Sequence, residues 1–159
     1  MATPPGTNVR GFLTNEEGEL LSALACEAGN LGPVLEIGSW CGRSTIWLAQ
    51  GAKLAGTVVL ALDHHRGSEE HQPGEMFFDA DLVDGDGRVD TLREFRRNIA
   101  QAGVEDTVIP IVAGTQQANA ILPHTLGMVF IDGGHSLEAA LTDWRSVGHR
   151  VLPGGILAI

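Results

Sequence analysis

A chain of 159 residues, 43% apolar and 19% charged, predicts one soluble globular domain, long enough to remove about 70% of its unfolded surface from water. Twenty acidic against ten basic residues give a formal net charge of −10, which repels a phosphate backbone and argues against nucleic acid as a partner. The longest apolar runs are strand-sized, far short of the roughly 20 residues a bilayer demands, so no membrane partner is expected.

Residues 1–13 lack the basic-then-apolar order of a secretory signal and read as the flexible leader of a cytoplasmic protein, with one folded domain over 14–159. Thr14 with Glu17 three positions on is a capping box, and Leu20, Leu21 and Leu24 give the helix that follows its apolar face. Gly29 and Asn30 stop that helix. "VLEIG" from Val34 is a short apolar strand, and "RSTIWLAQGAKLA" from Arg43 a helix with Ile46, Trp47 and Leu48 inward. "TVVLALD" is uninterruptedly apolar until Asp63, the pattern of a strand covered on both faces.

From Asp63 to Asp90 nine carboxylates face only Arg66 and Arg88. Such a long irregular tract in a compact domain reads as a functional lid, with Met76, Phe77 and Phe78 as its anchors, His71 as a solvated loop residue, and "DADLVDGDG" as a solvated acidic turn rather than a calcium loop. A helix over about 89–102 leads to the strand "TVIPIVAG", in which Pro110 is awkward. A short helix over 115–122, the strand "LGMVFIDGG" and the helix "SLEAALTDWRSVGHRV" follow, the last with Leu137, Ala140, Leu141, Trp144 and Val147 on one face. "LPGG" turns into "ILAI", where the chain ends inside an apparent strand. Cys26 and Cys41 suggest neither a disulfide framework nor a zinc site.

Five apolar strands alternating with helices predict right-handed βαβ units and an α/β fold with a parallel sheet. Ligands of such sheets settle beyond the carboxyl ends of the strands, which singles out Glu36 to Gly42, Asp63 to Arg66, Gly114 to Gln116, and Asp132 to His135. The first group is a glycine turn. A dinucleotide fingerprint starting at Gly38 would place glycines where Trp40 and Arg43 stand, and a P-loop would need a lysine that is absent. What remains is E-x-G-x-x-x-G, formed by Glu36, Gly38 and Gly42.

That pattern resembles motif I of the class I S-adenosylmethionine-dependent methyltransferases. With "DHHRGSEEH", "FIDGGHS" and "LPGG" in order, the chain over 14–159 is similar to the methyltransferase domain 24 family of small-molecule and sugar O-methyltransferases. The resemblance implies a Rossmann-like, doubly wound parallel sheet in three α/β/α layers, here lacking the last two of the usual seven strands; either a longer protein has been cut, or the fifth strand stands exposed as an edge, where a homo-oligomer is one outcome and weak cofactor binding or no chemistry are the others. It implies S-adenosylmethionine held by Glu36, Gly38, Ser39, Trp40, Gly42, Ser44, Asp63, His64, Gly114, Thr115, Gln116 and Asp132. Gly38 and Gly42 would let the backbone pass close to the ligand, and Ser39 and Ser44 would add hydroxyl donors. Asp63 would accept hydrogen bonds from both ribose hydroxyls, with His64 and His65 beside it.

Methyl transfer to oxygen requires positioning of the acceptor and removal of its proton. Asp132 and His135 are the candidate catalytic residues, and in some members the acid at Asp132 binds a divalent metal, which makes Mg²⁺ a candidate cofactor. For His135 the ordinary alternative is a helix-entry residue bonded to a backbone carbonyl. The expected function is methyl transfer to a hydroxyl of a small-molecule acceptor. The rivals are an NAD-dependent oxidoreductase and a non-catalytic cofactor-retaining interaction domain.

Overall fold

The computed structural model describes residues 6–134 and 136–159. Five strands form one parallel sheet in the order β3-β2-β1-β4-β5. They are β1 (Val34–Ile37), β2 (Val59–Asp63), β3 (Val108–Val112), β4 (Leu126–Ile131) and β5 (Val151–Ala158). Five helices accompany them: α1 (Asn15–Gly29), α2 (Arg43–Leu54), α3 (Leu92–Gln101), α4 (Thr115–Ala118) and α5 (Leu137–Val147). This is the expected three-layer, doubly wound fold.

Alternation along the strands assigns the layers. Val34, Val59, Ala61, Met128 and Phe130 pack beneath α1, α2 and α3, together with Leu21, Ala25, Ile46, Leu48, Phe95 and Ile99. Their neighbours Leu35, Ile37, Leu60, Leu62, Val129 and Ile131 face the other way, against Ala118 of α4 and Val147 of α5. Every residue of β1 and β4 is buried, as a strand covered on both faces requires. Burying one such Leu, Ile or Val contributes about 1.5–3 kcal/mol. The strand order reverses between β1 and β4, and the crevice at that switch point is where such sheets bind ligands.

The capping box is present: the Glu17 amide donates to Thr14 Oγ1 at 3.2 Å and the Thr14 amide donates to the Glu17 carboxylate at 2.8 Å. Pro110 is tolerated because β3 is an edge strand, where one row of N–H groups has no ladder to serve.

Several expectations are corrected. Leu20 is exposed while Leu21, Ala25 and Ala28 form the buried stripe of α1. On α5, Leu137 and Trp144 face outward, and the buried positions are Asp143 and Val147. "LPGG" is not a turn before the last strand but an irregularity within it: the register jumps from Leu126↔Val151 to Met128↔Ile156, so β5 carries extra residues. Gly155 sits there because a side chain would press on the Gly127 carbonyl.

The leader is also not free from Gly6 onward. The Arg43 guanidinium, at the start of α2, donates to the carbonyls of Gly6, Thr7, Val9 and Leu13 and to Asn15 Oδ1 at 2.7–3.2 Å. One cation therefore gathers residues 6–15 around itself. Arg10 then pairs with Asp79 and Asp81, tying this strap to the acidic segment.

Candidate functional site

The glycine turn leaves β1 with its first residue pinned. Gly38 has φ +89°, and any side chain there would run into the main-chain carbonyl of Asp132, so only glycine lets these two backbones meet. Its amide donates to the Leu62 carbonyl at 2.9 Å, and the Asp132 amide donates to the Ile37 carbonyl at 2.8 Å. Gly42 also has positive φ, but the space a side chain would take there belongs to Phe95 and Ile99 of α3. A side chain at Gly42 would press on the core, which seats the turn there.

Asp63 ends β2 and holds two loops at once. Its Oδ2 accepts the Trp40 amide at 2.8 Å and its Oδ1 the His65 amide at 2.7 Å. Both held residues have positive φ, Trp40 at +40° and His65 at +58°, a conformation costing about 1–2 kcal/mol for a non-glycine residue. The carboxylate stabilises this strained pair. His65 turns inward: it is buried, packs on Phe95, and its Nδ1 lies 2.8 Å from Thr91 Oγ1. Burial holds its imidazole below the usual histidine range. It is not beside the cavity as expected, whereas exposed His64 is.

Glu36 lies beneath the turn instead of in the wall. It is fully buried, with the Ser44 hydroxyl donating to one oxygen at 2.5 Å and the Thr45 hydroxyl donating to the other. Burial pushes its carboxyl up to about 8, and the charges of Asp132 and Asp63 add to the rise. Glu36 therefore fastens the start of α2 to β1, and the hydroxyl proton of Ser44 is already committed to it. Cys41 is buried as well, and burial pushes its thiol up to about 12, which removes it as a nucleophile.

Two adjoining cavities open above these residues. The larger, about 300 Å³, lies over the ends of β1, β2, β3 and β4 and is lined by Asp63, His64, Ser68, Gly114, Thr115 and Asp143 among others. The smaller, about 120 Å³, reaches from Ser39, Cys41 and Ser44 to Arg10, Phe12 and Arg43. Gly38, Trp40, His71, Asp132 and Gly133 line both. The partition is aromatic: the Trp40 and His71 rings lie 4.8 Å apart, and Phe12 stacks on Trp40 at 5.6 Å. His71 is thus part of the site and not a solvated loop residue. Phe77 reaches Phe12 at 5.0 Å, while Met76 points into solvent and anchors nothing.

Of the residues singled out from sequence, Gly38, Ser39, Trp40, Ser44, Asp63, His64, Gly114, Thr115 and Asp132 line one cavity or both. Glu36, Gly42 and Gln116 line neither, and His135 lies outside the described residues. Sequence reasoning missed His71, Arg10, Phe12, Arg43 and Asp143. A signal existed for Asp143 alone: it interrupts the stripe Ala139, Asp143, Val147 on α5 with an acid.

Ser39 Oγ is buried and has no hydrogen-bond partner among the described residues, so the smaller cavity presents a polar atom awaiting one. With Asp63 and Asp132 in the walls, the site also suits a ligand bearing positive charge. No group of three or more His, Cys, Asp or Glu side chains converges to hold a metal among the described residues. None of the described helices is long and apolar enough to cross a membrane.

Comparison with known proteins bears on this geometry. A family model described as a methyltransferase domain matches residues 35–159. An O-methyltransferase from Bacillus cereus, solved in complex with SAH, is 25% identical, with a TM-score of 0.63 over 92% of this chain and 56% of that one. A cofactor-bound protein from MTB is 28% identical, with a TM-score of 0.58 over 85% of this chain and 51% of that one. The O-methyltransferase TomG from Streptomyces achromogenes, in complex with SAM, shares the fold at 19% identity, with a TM-score of 0.65 over 92% of this chain and 55% of that one. The chain spans about half the length of these solved relatives.

Proposed function

The chain belongs to the methyltransferase domain family, and from that premise we propose that its two-chambered site binds S-adenosylmethionine and supports methyl transfer to a hydroxyl of a small molecule. The observation that carries this reading is the shared wall: Asp132 and the Gly38 turn border both cavities, so the nucleoside end of the ligand in the larger and its carboxylate end in the smaller would join there, with the reacting sulfur beside Asp132. The cofactor supplies an activated methyl on a positively charged sulfur. Every other contribution is the protein's own.

Asp63 and His64 would hold a ribose in the larger chamber, and the Gly114–Thr115 turn would flank its base. Ser39 and the start of α2, whose dipole favours negative charge, would receive the carboxylate end of the ligand. Asp132 would orient the acceptor hydroxyl and take its proton, with His135 as the second candidate for that role. The partition of Trp40, Phe12 and His71 would keep water from the reacting atoms. No step is assigned to Mg²⁺.

Calorimetric titration with S-adenosylhomocysteine (SAH) tests the cofactor half. Binding of SAH, with no binding of NAD, is expected; absence of SAH binding overturns the proposal. Transfer of a tritiated methyl to a panel of small hydroxyl compounds tests the acceptor half. Asp132→Asn should retain SAH binding while losing at least about a hundredfold in transfer, the usual contribution of a positioned general base. Undiminished transfer would remove Asp132 from its role.

A further inference from the structure

The smaller chamber is covered by two stretches that lie far apart in sequence. Arg10, Gly11, Phe12 and Leu13 of the strap line it, and so does His71, from the segment that follows β2. Aromatic rings join the two: Phe12 stacks on Trp40 at 5.6 Å, Trp40 meets His71 at 4.8 Å, and Phe77 stands edge-on to Phe12 at 5.0 Å. A ligand reaching into both chambers has this stack in its way. For such a ligand to enter or leave, one of the two stretches has to lift.

They are held very differently. The strap is tied down by the hydrogen bonds that residues 6–15 accept from Arg43. Residues 72–81 have no such tie: none of them is buried, and Gly74, at φ +94°, has open space around it. Only their ends are fixed, since the Gln72 side-chain amide donates to the Arg66 and Ser68 carbonyls at 3.1 and 3.0 Å and Leu82 is buried. A segment with few buried apolar contacts between two fixed ends opens at low cost. The strap therefore stays, and 72–81 moves.

What holds 72–81 against the strap, besides the Phe77 ring, is charge. Among the described residues, the ion pairs that join them are those of Arg10 with Asp79 and, at 3.1 Å, with Asp81. The three side chains are 39%, 34% and 79% exposed, so water and salt weaken both pairs. Two exposed pairs on one cation shift an open–closed equilibrium by a factor of about three to ten. That strength suits a catch that releases and recloses, not a permanent clasp. We propose that residues 72–81 form a flap over the smaller chamber, that Arg10 with Asp79 and Asp81 is its electrostatic latch, and that release of this latch gates ligand exchange. The flap stands on the contacts between the two stretches; the identity of the exchanging ligand rests on the cofactor reading.

The test uses the double variant Asp79→Asn, Asp81→Asn, because neither acid lines a chamber and asparagine keeps the cap that Asp79 makes with the Asp81 amide. Stopped-flow mixing with SAH, followed by tryptophan fluorescence, should show association and dissociation both three- to tenfold faster in the variant, with Kd within about twofold of wild type. Raising NaCl from 20 to 500 mM should speed exchange in wild type by about the same factor and leave the variant unchanged. A group that merely touches ligand would move dissociation and Kd together; that outcome, or wild-type rates indifferent to salt, overturns the latch and leaves the cofactor reading standing. Hydrogen exchange on the ligand-free protein gives a second readout. The Phe77 amide donates to the Glu70 carbonyl and the Leu82 amide to the Asp79 carbonyl, and both should exchange three- to tenfold faster in the variant. Unaltered exchange there overturns the flap. If wild type binds no SAH, the cofactor reading has failed and hydrogen exchange still decides the flap.

Discussion

The Trp40 amide and the Asp63 carboxylate are joined across the mouth of the crevice by a 2.8 Å hydrogen bond, while the other oxygen of Asp63 accepts the His65 amide. One side chain therefore fixes the glycine turn, starts the acidic segment and remains in the cavity wall. Asp63→Asn tests this coupling. An asparagine offers one oxygen for two amides and points N–H at the other, and a hydrogen bond to a charged group contributes about 1.5–3 kcal/mol. The variant should lose about 2 kcal/mol of stability in denaturant unfolding and at least tenfold in SAH affinity. Full stability with weakened binding would mean that Asp63 acts on ligand alone.

The carboxyl of Glu36 yields a pH prediction. Burial lifts it from 4.5 to about 8, so it stays protonated in the folded protein while the unfolded chain releases its proton above pH 4.5. Ionisation thus favours the unfolded chain. The stabilising contribution is complete below pH 4.5 and is lost as pH rises toward 8, at up to about 1.4 kcal/mol per pH unit. Glu36→Gln keeps hydrogen-bonding capacity toward Ser44 and Thr45 without the titration. Denaturant unfolding between pH 5 and 8 should show wild type declining steeply relative to the variant; parallel profiles would mean Glu36 is ionised in the fold.

The fold was legible because its signals are local. Glycine-bounded apolar runs of strand length, a capping box at Thr14 and acids at strand ends specify a doubly wound sheet before any long-range contact is known. Nine residues of the candidate site were readable for the same reason, since each follows directly on a strand or turn. What escaped depends on contacts distant in sequence. Nothing near Arg43 announces that it gathers four carbonyls from residues 6–13, and nothing near His71 announces Trp40. Glu36 and Gly42 were legible as motif, but their burial beneath the turn was not, because spacing reports that a turn exists and not which side of it faces the cavities. The inward faces of α1 and α5 were misassigned in part, where both large apolar and small or polar residues fit the period: Leu20, Leu137 and Trp144 face outward, while Ala25, Ala28 and Asp143 join Leu21 and Val147 on the buried faces.

Arg43→Met should release the strap. The methionine keeps an apolar stem but loses five hydrogen bonds to residues 6–15, four of them to carbonyls that water can partly serve in its absence. A loss of about 2–3 kcal/mol in stability is expected. Limited proteolysis gives the sharper readout: trypsin should cut after Arg10 rapidly in the variant and slowly in wild type, where Arg10 is engaged by Asp79 and Asp81. Equal cutting rates would show that Arg43 does not hold the segment.

Trp40→Gly sets two effects of similar size against each other. Glycine relieves the cost of φ +40°, about 1–2 kcal/mol, and forfeits ring contacts with Phe12 and His71, each worth about 0.5–1.5 kcal/mol. Stability should therefore stay within about 1 kcal/mol of wild type, while the partition between the two chambers disappears. Acrylamide quenching of the remaining tryptophans, Trp47 and Trp144, should be unchanged, and a calorimetric SAH titration should show weaker binding. A large loss of stability would mean that the aromatic partition supports the fold as well as the site.

The placement of the glycine turn depends finally on how closely α2 approaches α1, and Gly51 sets that distance. A Cβ there would collide with the Ser22 carbonyl and stand 2.9 Å from the Cys26 amide nitrogen, both main-chain atoms that cannot swing aside. Helix propensity argues the other way, since alanine is favoured over glycine within a helix by about 1 kcal/mol. Overpacking against backbone costs about 1–3 kcal/mol and outweighs that preference, so Gly51→Ala should destabilise despite the better helix former. Gly85 is the control: it has open space around it and no positive φ, so Gly85→Ala should lie within about 0.5 kcal/mol of wild type. Because α2 begins at the glycine turn, Gly51→Ala should also weaken SAH binding although Gly51 lines neither chamber, and unaltered affinity would uncouple helix spacing from the site.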